Sequence, residues 1–252
     1  MDITNNNFSA FSEQRYAGKV NFNTAAKSDF ITNEAFKSLR SNILFCGKDI
    51  KTILVTSTHE NEGKSTIATE LSKSLSDIDK RTLLIDADMR KSVIFRHNLK
   101  SQGISGLSEL LSGQAELHEV LFETQIPHFN VIFSGRFPPN PVELLNSDAF
   151  KELIEFASAN YDYIVLDTPP LAPVIDASVI STYCDGAVLV IANGKTRINE
   201  AHAAIEQLKK SNSKILGAVL NQTDSKGKFT GGYYKKSSYY YAESSNSSKR
   251  KK

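Results

Sequence analysis

Two kinds of pattern alternate along this chain. Short runs that are apolar almost throughout occur at Thr52–Ser57 (TILVTS), Arg81–Asp86 (RTLLID), Phe129–Phe133, Tyr163–Asp167 (YIVLD), Gly186–Ile191 (GAVLVI) and Lys214–Leu220 (KILGAVL). Each is rich in aliphatic residues and bounded by polar or turn-forming ones, which predicts strands buried on both faces. Between them the apolar residues recur at helical spacing. Ile67, Leu71, Leu75 and Ile78 form one stripe, and Ala201, Ala204, Ile205 and Leu208 another. The spacing predicts helices over 65–78 and 199–210, a short one over 106–111, and others near 176–183 and up to about residue 159 after a Pro-stiffened stretch (FPPNPVELLNS). Upstream, Phe36, Leu39, Ile43 and Leu44 predict a helix over 29–45, with Glu34, Lys37 and Arg40 sharing a different face. Strands alternating with helices predict an α/β fold, a mostly parallel central sheet with helices on both faces.

Composition changes this picture only at the ends. At 252 residues the chain suits one large domain or two small ones. Residues 1–28 are polar, lack periodicity and are expected to be flexible; 29–224 carry the fold; 225–252 form a basic, Ser- and Tyr-rich tail expected to be disordered. From residue 225 onward eight basic residues face Glu243 alone, a charge of +7 that leaves −5 for the remainder of a chain whose net charge is +2. Such a tail is attracted to something anionic: nucleic acid, a membrane face or an acidic groove on a partner. The two cysteines, Cys46 and Cys184, have no metal-type spacing, and no apolar run approaches membrane-spanning length. Without a signal-peptide pattern at its N-terminus, the chain is expected in the cytoplasm.

The candidate chemistry lies where the apolar runs end, the place where ligands bind in open α/β sheets. Between the first run and its helix lies THENEGKST, the end of a P-loop. Backbone N–H groups and a helix N-terminus there suit a phosphate chain, with Lys64 reaching the β/γ-phosphates and Ser65 holding Mg²⁺. The nucleotide-binding candidates are Asn61, Glu62, Gly63, Lys64, Ser65 and Thr66, with Asn221 at the end of the last run. Asn61 stands where a loop glycine is common, and Asn is the residue besides glycine most at ease in a left-handed conformation. Asp86 and Asp88 follow the second run and Asp167 closes the fourth. A carboxylate closing an apolar strand suits Mg²⁺, which takes one or two carboxylates plus phosphate oxygens. Asp86 also suits the general-base role, and Arg90 is placed to neutralise transferring phosphate. Five of the nine tyrosines, Tyr233, Tyr234, Tyr239, Tyr240 and Tyr241, lie in the tail. Tyrosines in a basic segment with no core to bury them are suited to accept phosphate.

The order of these motifs resembles the bacterial tyrosine kinases of capsule and exopolysaccharide assembly, in the form whose cytosolic kinase is separate from its transmembrane activator. The resemblance runs from about Glu34 to Tyr241 through EAFKSLRSNILF, GKST, LLIDADMRKS, SGRFPPNPVELLNS, YIVLDTPPLAPVIDA and the tyrosine cluster. It implies an ATP- and Mg²⁺-dependent protein-tyrosine kinase on a P-loop scaffold. Lys64 then binds phosphates, Ser65 binds the metal, and Asp86, Asp88 and Asp167 surround it, Asp86 also serving as base. It further implies phosphorylation of the tail cluster in trans, a ring of unphosphorylated subunits, control of polysaccharide polymerisation and export, and recruitment to the inner face of the plasma membrane by a transmembrane polysaccharide co-polymerase. A cognate tyrosine phosphatase belongs to the same picture, and nucleic acid does not. The family's E-x-x-R-x-x-R ring segment maps to Glu34, Lys37 and Arg40, with lysine replacing the first arginine and losing its bidentate fork. Glu60-Asn61 replaces the family's usual Pro-Gly. The rival reading is a partitioning or septum-site switch ATPase that acts on DNA or membrane. That class carries a signature lysine at the place of His59 and leaves the tail tyrosines without a role.

Overall fold

The computed structural model describes residues 16–21, 30–94, 104–211 and 213–223. Its eight strands are β1 Gly18–Val20, β2 Thr52–Ser57, β3 Thr82–Asp86, β4 Leu121–Thr124, β5 Phe129–Ile132, β6 Tyr163–Asp167, β7 Gly186–Ala192 and β8 Ile215–Asn221. They form one sheet in the order β1-β4-β5-β3-β6-β2-β7-β8. The six strands from β5 to β8 are mutually parallel; β4 pairs antiparallel with β5, and β1 parallel with β4. The chain divides into two units after Gln222, and beyond Thr223 the second lies outside the described residues. The tyrosine cluster falls there, and so do most of residues 1–28.

Alternation along each inner strand sends neighbouring side chains to opposite faces. Ile53, Val55, Leu84 and Val165 pack with Ile67, Leu71 and Leu75 of helix α2 (Lys64–Ser76), and Ile43 of helix α1 (Phe30–Phe45) joins them. On the other face Leu54, Leu83, Ile85 and Leu166 meet Leu107, Phe150, Leu153, Ile180 and Leu208, which come from the shorter helices and from 198–210. Burial on both faces is the reason the strand runs lack polar interruptions.

Two expectations are corrected, and one stretch without an assigned element is filled in. Residues 16–21, read as part of a flexible segment, include edge strand β1, whose short polar sequence carries no period-two signal because only Val20 is buried among its three residues. The run Leu117–Thr124 holds a one-turn helix and the antiparallel strand β4, too short for periodicity to separate them. The helix expected after the Pro-rich stretch is found at Asp148–Asn160, started by the Ser147 hydroxyl accepting from the Phe150 N–H, but the stretch read as loop itself holds the short helix Pro141–Leu145.

Candidate active site

β3, β6 and β2 are neighbours, so their carboxyl ends bring three sequence signals to one place. Asp86 stands opposite Asp167 in register, and Asp167 opposite Val55 on the other side. The segment after β6 is stitched to the end of β2: the Thr168 N–H and hydroxyl both donate to the Val55 carbonyl at 3.1 Å, and the Leu171 N–H donates to the Ser57 carbonyl at 2.9 Å. The carboxylates are therefore held on the sheet rather than on free loops.

The phosphate loop follows β2. Asn61 adopts φ 61°, the left-handed conformation its sequence position called for, and Gly63 adopts φ 93°. A Cβ at residue 63 would lie 2.1 Å from the Asn221 amide nitrogen and push that side chain aside, so the fit of Asn221 adds to the left-handed backbone in favouring glycine. Helix α2 starts at Lys64, with the Ile67 N–H closing its first turn on the Gly63 carbonyl at 3.0 Å. Lys64 and Ser65 are both buried.

Lys64 Nζ lies 3.0 Å from Asp88 Oδ2 and 3.5 Å from Ser65 Oγ. Burial alone would lower the lysine pKa, but Asp167, Asp88 and Asp86 together outweigh it, and Lys64 is held protonated above its ordinary range. Asp86 and Asp167 are completely buried. Ser92 Oγ donates to Asp86 Oδ2, whereas Asp86 Oδ1 and both oxygens of Asp167 are buried without a hydrogen-bond partner. Both carboxyls are pushed up, first by burial; Asp167 raises Asp86 further, and Lys64 draws Asp167 part of the way back. Unpartnered buried carboxylate oxygens are costly. They fit a divalent cation shared with phosphate oxygens. Among the described residues no three His, Cys, Asp or Glu side chains are grouped so as to hold a metal ion by themselves. A Mg²⁺ that completes its shell with substrate phosphates and water needs none.

Several candidates are placed differently from their sequence reading. Glu62 does not turn its carboxylate to a ligand: Oε2 accepts from the Thr58 and His59 N–H groups at 2.8 and 3.0 Å, and Oε1 accepts from Thr196 Oγ1. It braces the loop from behind. The Asn221 amide donates to the Glu62 carbonyl at 2.9 Å, another brace. Arg90, expected at the transferring phosphate, instead grips the fully buried Asp176 through two bonds, Nε to Oδ2 at 2.8 Å and an Nη to Oδ1 at 3.1 Å. A buried carboxylate without a cation is expensive, which explains the commitment of the guanidinium. On α1, Lys37 pairs with Glu34 at 2.8 Å, and Arg40 donates to the Ser74 carbonyl of α2 at 2.6 Å. Ser92, Asp176, Thr196 and Gln222 went unnoticed as site residues, since nothing in their local spacing marks them; each acts through a contact distant in sequence or across a loop.

The comparisons with known proteins agree with this geometry. The AAA domain family matches residues 50–218. The tyrosine-protein kinase CpsD of Streptococcus agalactiae is 43% identical over 202 residues, covering 80% of this chain and 88% of that protein. Among solved structures, the chimerical protein CapA2B2 superposes with a TM-score of 0.75 at 30% identity, covering 83% of this chain and 95% of the other. The kinase domain of the Escherichia coli tyrosine kinase ETK superposes with a TM-score of 0.70 at 31% identity, covering 77% and 78%. At this identity and coverage, and with its carboxylates assembled beside the phosphate loop, the chain belongs to the bacterial tyrosine-protein kinases associated with capsule synthesis, and it is a P-loop protein-tyrosine kinase.

Proposed function

We propose that this kinase phosphorylates the tyrosine cluster of a neighbouring copy of itself, with ATP as donor, and that the phosphorylation state of the cluster regulates capsular or exopolysaccharide polymerisation and export. The observation that carries the reading is the pairing of Asp86 with Asp167 beside Lys64: two buried carboxylates with free oxygens next to a cation, at the mouth of a phosphate loop. Lys64 leaves Asp88 for the β/γ-phosphates, and the loop N–H groups hold the phosphate chain. Ser65, Asp88 and Asp167 are the side chains that would hold Mg²⁺, whose bound charge offsets that of the phosphates. Asp86 accepts the phenolic proton as the tyrosine oxygen bonds to the γ-phosphorus and the bond to the departing ADP oxygen breaks. Its raised pKa suits a proton acceptor near neutral pH. Ser92 orients that carboxylate from the side.

The basic tail is drawn to the acidic strand ends of a neighbour, and the ring contact involves Glu34, Lys37 and Arg40. Each phosphate adds about −1.5 to −2 charge, so four or five reverse the tail's +7 and loosen the assembly. Among the described residues no helix is long and apolar enough to cross a membrane. A separate transmembrane polysaccharide co-polymerase would recruit and activate the kinase at the inner face of the plasma membrane, with a cognate phosphatase reversing the modification.

The test mixes two variants with ATP, Mg²⁺ and the activator's cytoplasmic segment. Lys64→Met supplies only acceptor, and a chain with Tyr233, Tyr234, Tyr239, Tyr240 and Tyr241 all changed to Phe supplies only donor. Phosphotyrosine on the Lys64→Met chain supports transfer in trans to the tail. No phosphotyrosine in that mixture, under conditions in which a parallel sample of the wild-type chain becomes labelled, sinks it.

A further inference from the structure

We infer that Gln222 is a positioning residue that sets the backbone of the phosphate loop in advance of nucleotide, and so governs nucleotide affinity rather than the rate of transfer. The inference rests on the reading of residues 58–66 as the nucleotide site. β8 ends at Asn221, and the two amide side chains at its end reach back to consecutive carbonyls of the loop. Gln222 Nε2 donates to the Asn61 carbonyl at 2.7 Å, and Asn221 Nδ2 donates to the Glu62 carbonyl at 2.9 Å. Gln222 is itself oriented: Lys195 Nζ donates to its Oε1 at 2.8 Å, which leaves the amide nitrogen facing the loop. The Asn193 N–H donates to the Asn221 carbonyl at 2.8 Å and ties the strand end to the end of β7.

The geometry matters because a trans peptide points its C=O and the following N–H in opposite directions. Holding the Asn61 and Glu62 carbonyls toward β8 therefore aims the Glu62 and Gly63 N–H groups to the opposite side, the arrangement by which successive N–H groups bind an anion. The conformation has a cost. Asn61 and Gln222 both adopt left-handed backbone angles, φ 61° and 57°, which side chains with a Cβ disfavour. Two such residues facing each other across a hydrogen bond mark a segment held by its contacts rather than by local preference. A glycine at position 61 would take this turn freely. With asparagine there, an external tether replaces part of that freedom, and Gln222 is the tether. Gly63 completes the fit, since any side chain at that position would displace the Asn221 amide.

The experiment titrates the full chain with a fluorescent ADP and measures phosphotyrosine formation at varied ATP. Gln222→Met keeps length and removes both hydrogen bonds; one tether of this kind corresponds to a loss of affinity of about 3- to 10-fold. The expected result is that rise in Kd and in the KM for ATP, with kcat changed less than about twofold and an unaltered melting temperature. Gln222→Glu keeps the acceptor for Lys195 but cannot donate to Asn61, and is expected to match or exceed the methionine variant. Unchanged Kd in both variants overturns the inference. So does loss of kcat and Kd together with a lowered melting temperature, which would mark a general structural role. Failure of the wild-type chain to bind the ADP probe would instead overturn the nucleotide-site reading itself.

Discussion

Two pairs of carboxylates stand at or just beyond the ends of β3 and β6 and have opposite fates. Asp88 and Asp176 each meet a cation, Lys64 at 3.0 Å and Arg90 at 2.8 Å. Asp86 and Asp167, deeper and side by side in register, have a single serine hydroxyl between them, Ser92 on Asp86, and leave three oxygens without partners. The first pair is built for the resting fold, and the second is left incomplete by it. A chain selected only for stability would not bury two facing acids on adjacent strands, because each raises the cost of ionising the other. The incomplete pair therefore marks the candidate site; of the completed one, Arg90 and Asp176 tie two segments together, while Asp88 holds Lys64 in the absence of nucleotide.

This contrast is open to direct attack. The largest effect is expected from Asp86→Asn, which removes the proposed proton acceptor but keeps shape: phosphotyrosine formation should fall by about 10²- to 10⁴-fold, while binding of a fluorescent ADP persists. Retained activity would remove Asp86 from the base role. Next comes the completed pair. Arg90→Met strands a buried Asp176 and should lower stability by about 2–3 kcal/mol in urea denaturation, short of the penalty for a wholly buried pair because the guanidinium is 35% exposed. Adding Asp176→Asn should recover most of that loss. If it recovers none, the pair is not the reason for the destabilisation.

The incomplete pair should behave in the opposite way. Both Asp86 and Asp167 ionise at higher pH in the folded chain than when unfolded, burial being the first cause. The folded state then keeps its protons longer, so their contribution is fully present below about pH 4, the unfolded carboxylate range, and is lost as pH rises through the raised folded values. Asp167→Asn should thus stabilise the metal-free chain at pH 8 by about 1 kcal/mol, a gain absent at acidic pH. An equal difference at both pH values would contradict the sign. The smallest effect belongs to the exposed pair of Lys91 and Glu60, which spans the same two loops with side chains 56% and 49% exposed. Lys91→Ala should shift stability by less than about 0.5 kcal/mol. A larger change would make this outer pair a structural strap rather than a solvated contact.

Much of the site was readable from the chain because strand ends are local events. An apolar run followed by GKST, by DAD or by DTPP announces a strand with a polar terminus. Placing Asp86 and Asp167 at such ends needed no tertiary knowledge. The left-handed turn at Asn61 was legible for the same reason, since it follows from the residue's own backbone preference. The braces were not. Glu62 was read only for its place in the loop, not for its carboxylate, and Asn221 and Arg90 looked like ligands of nucleotide or phosphate because amide and basic groups near a phosphate loop suit that role. Their assignment to Thr58, to the Glu62 carbonyl and to Asp176 depends on partners up to 159 residues away. Edge strand β1 escaped for a different reason: with three residues and one buried side chain, it leaves no periodic trace.

By itself, the sequence determined the alternation of buried strands and amphipathic helices, the phosphate loop and the acidic strand ends, because each depends on hydrophobic period or backbone preference within a few residues. Only the tertiary structure decided that β6 lies between β3 and β2, and hence that Asp86 faces Asp167 beside Lys64. Strand order is set by how crossovers pack helices on the two faces of the sheet, a property of the whole chain that no short stretch contains. The same packing decided which polar groups meet a partner when water is excluded. Those that did hold the loops, and among those that did not, the oxygens of Asp86 and Asp167 mark the candidate active site.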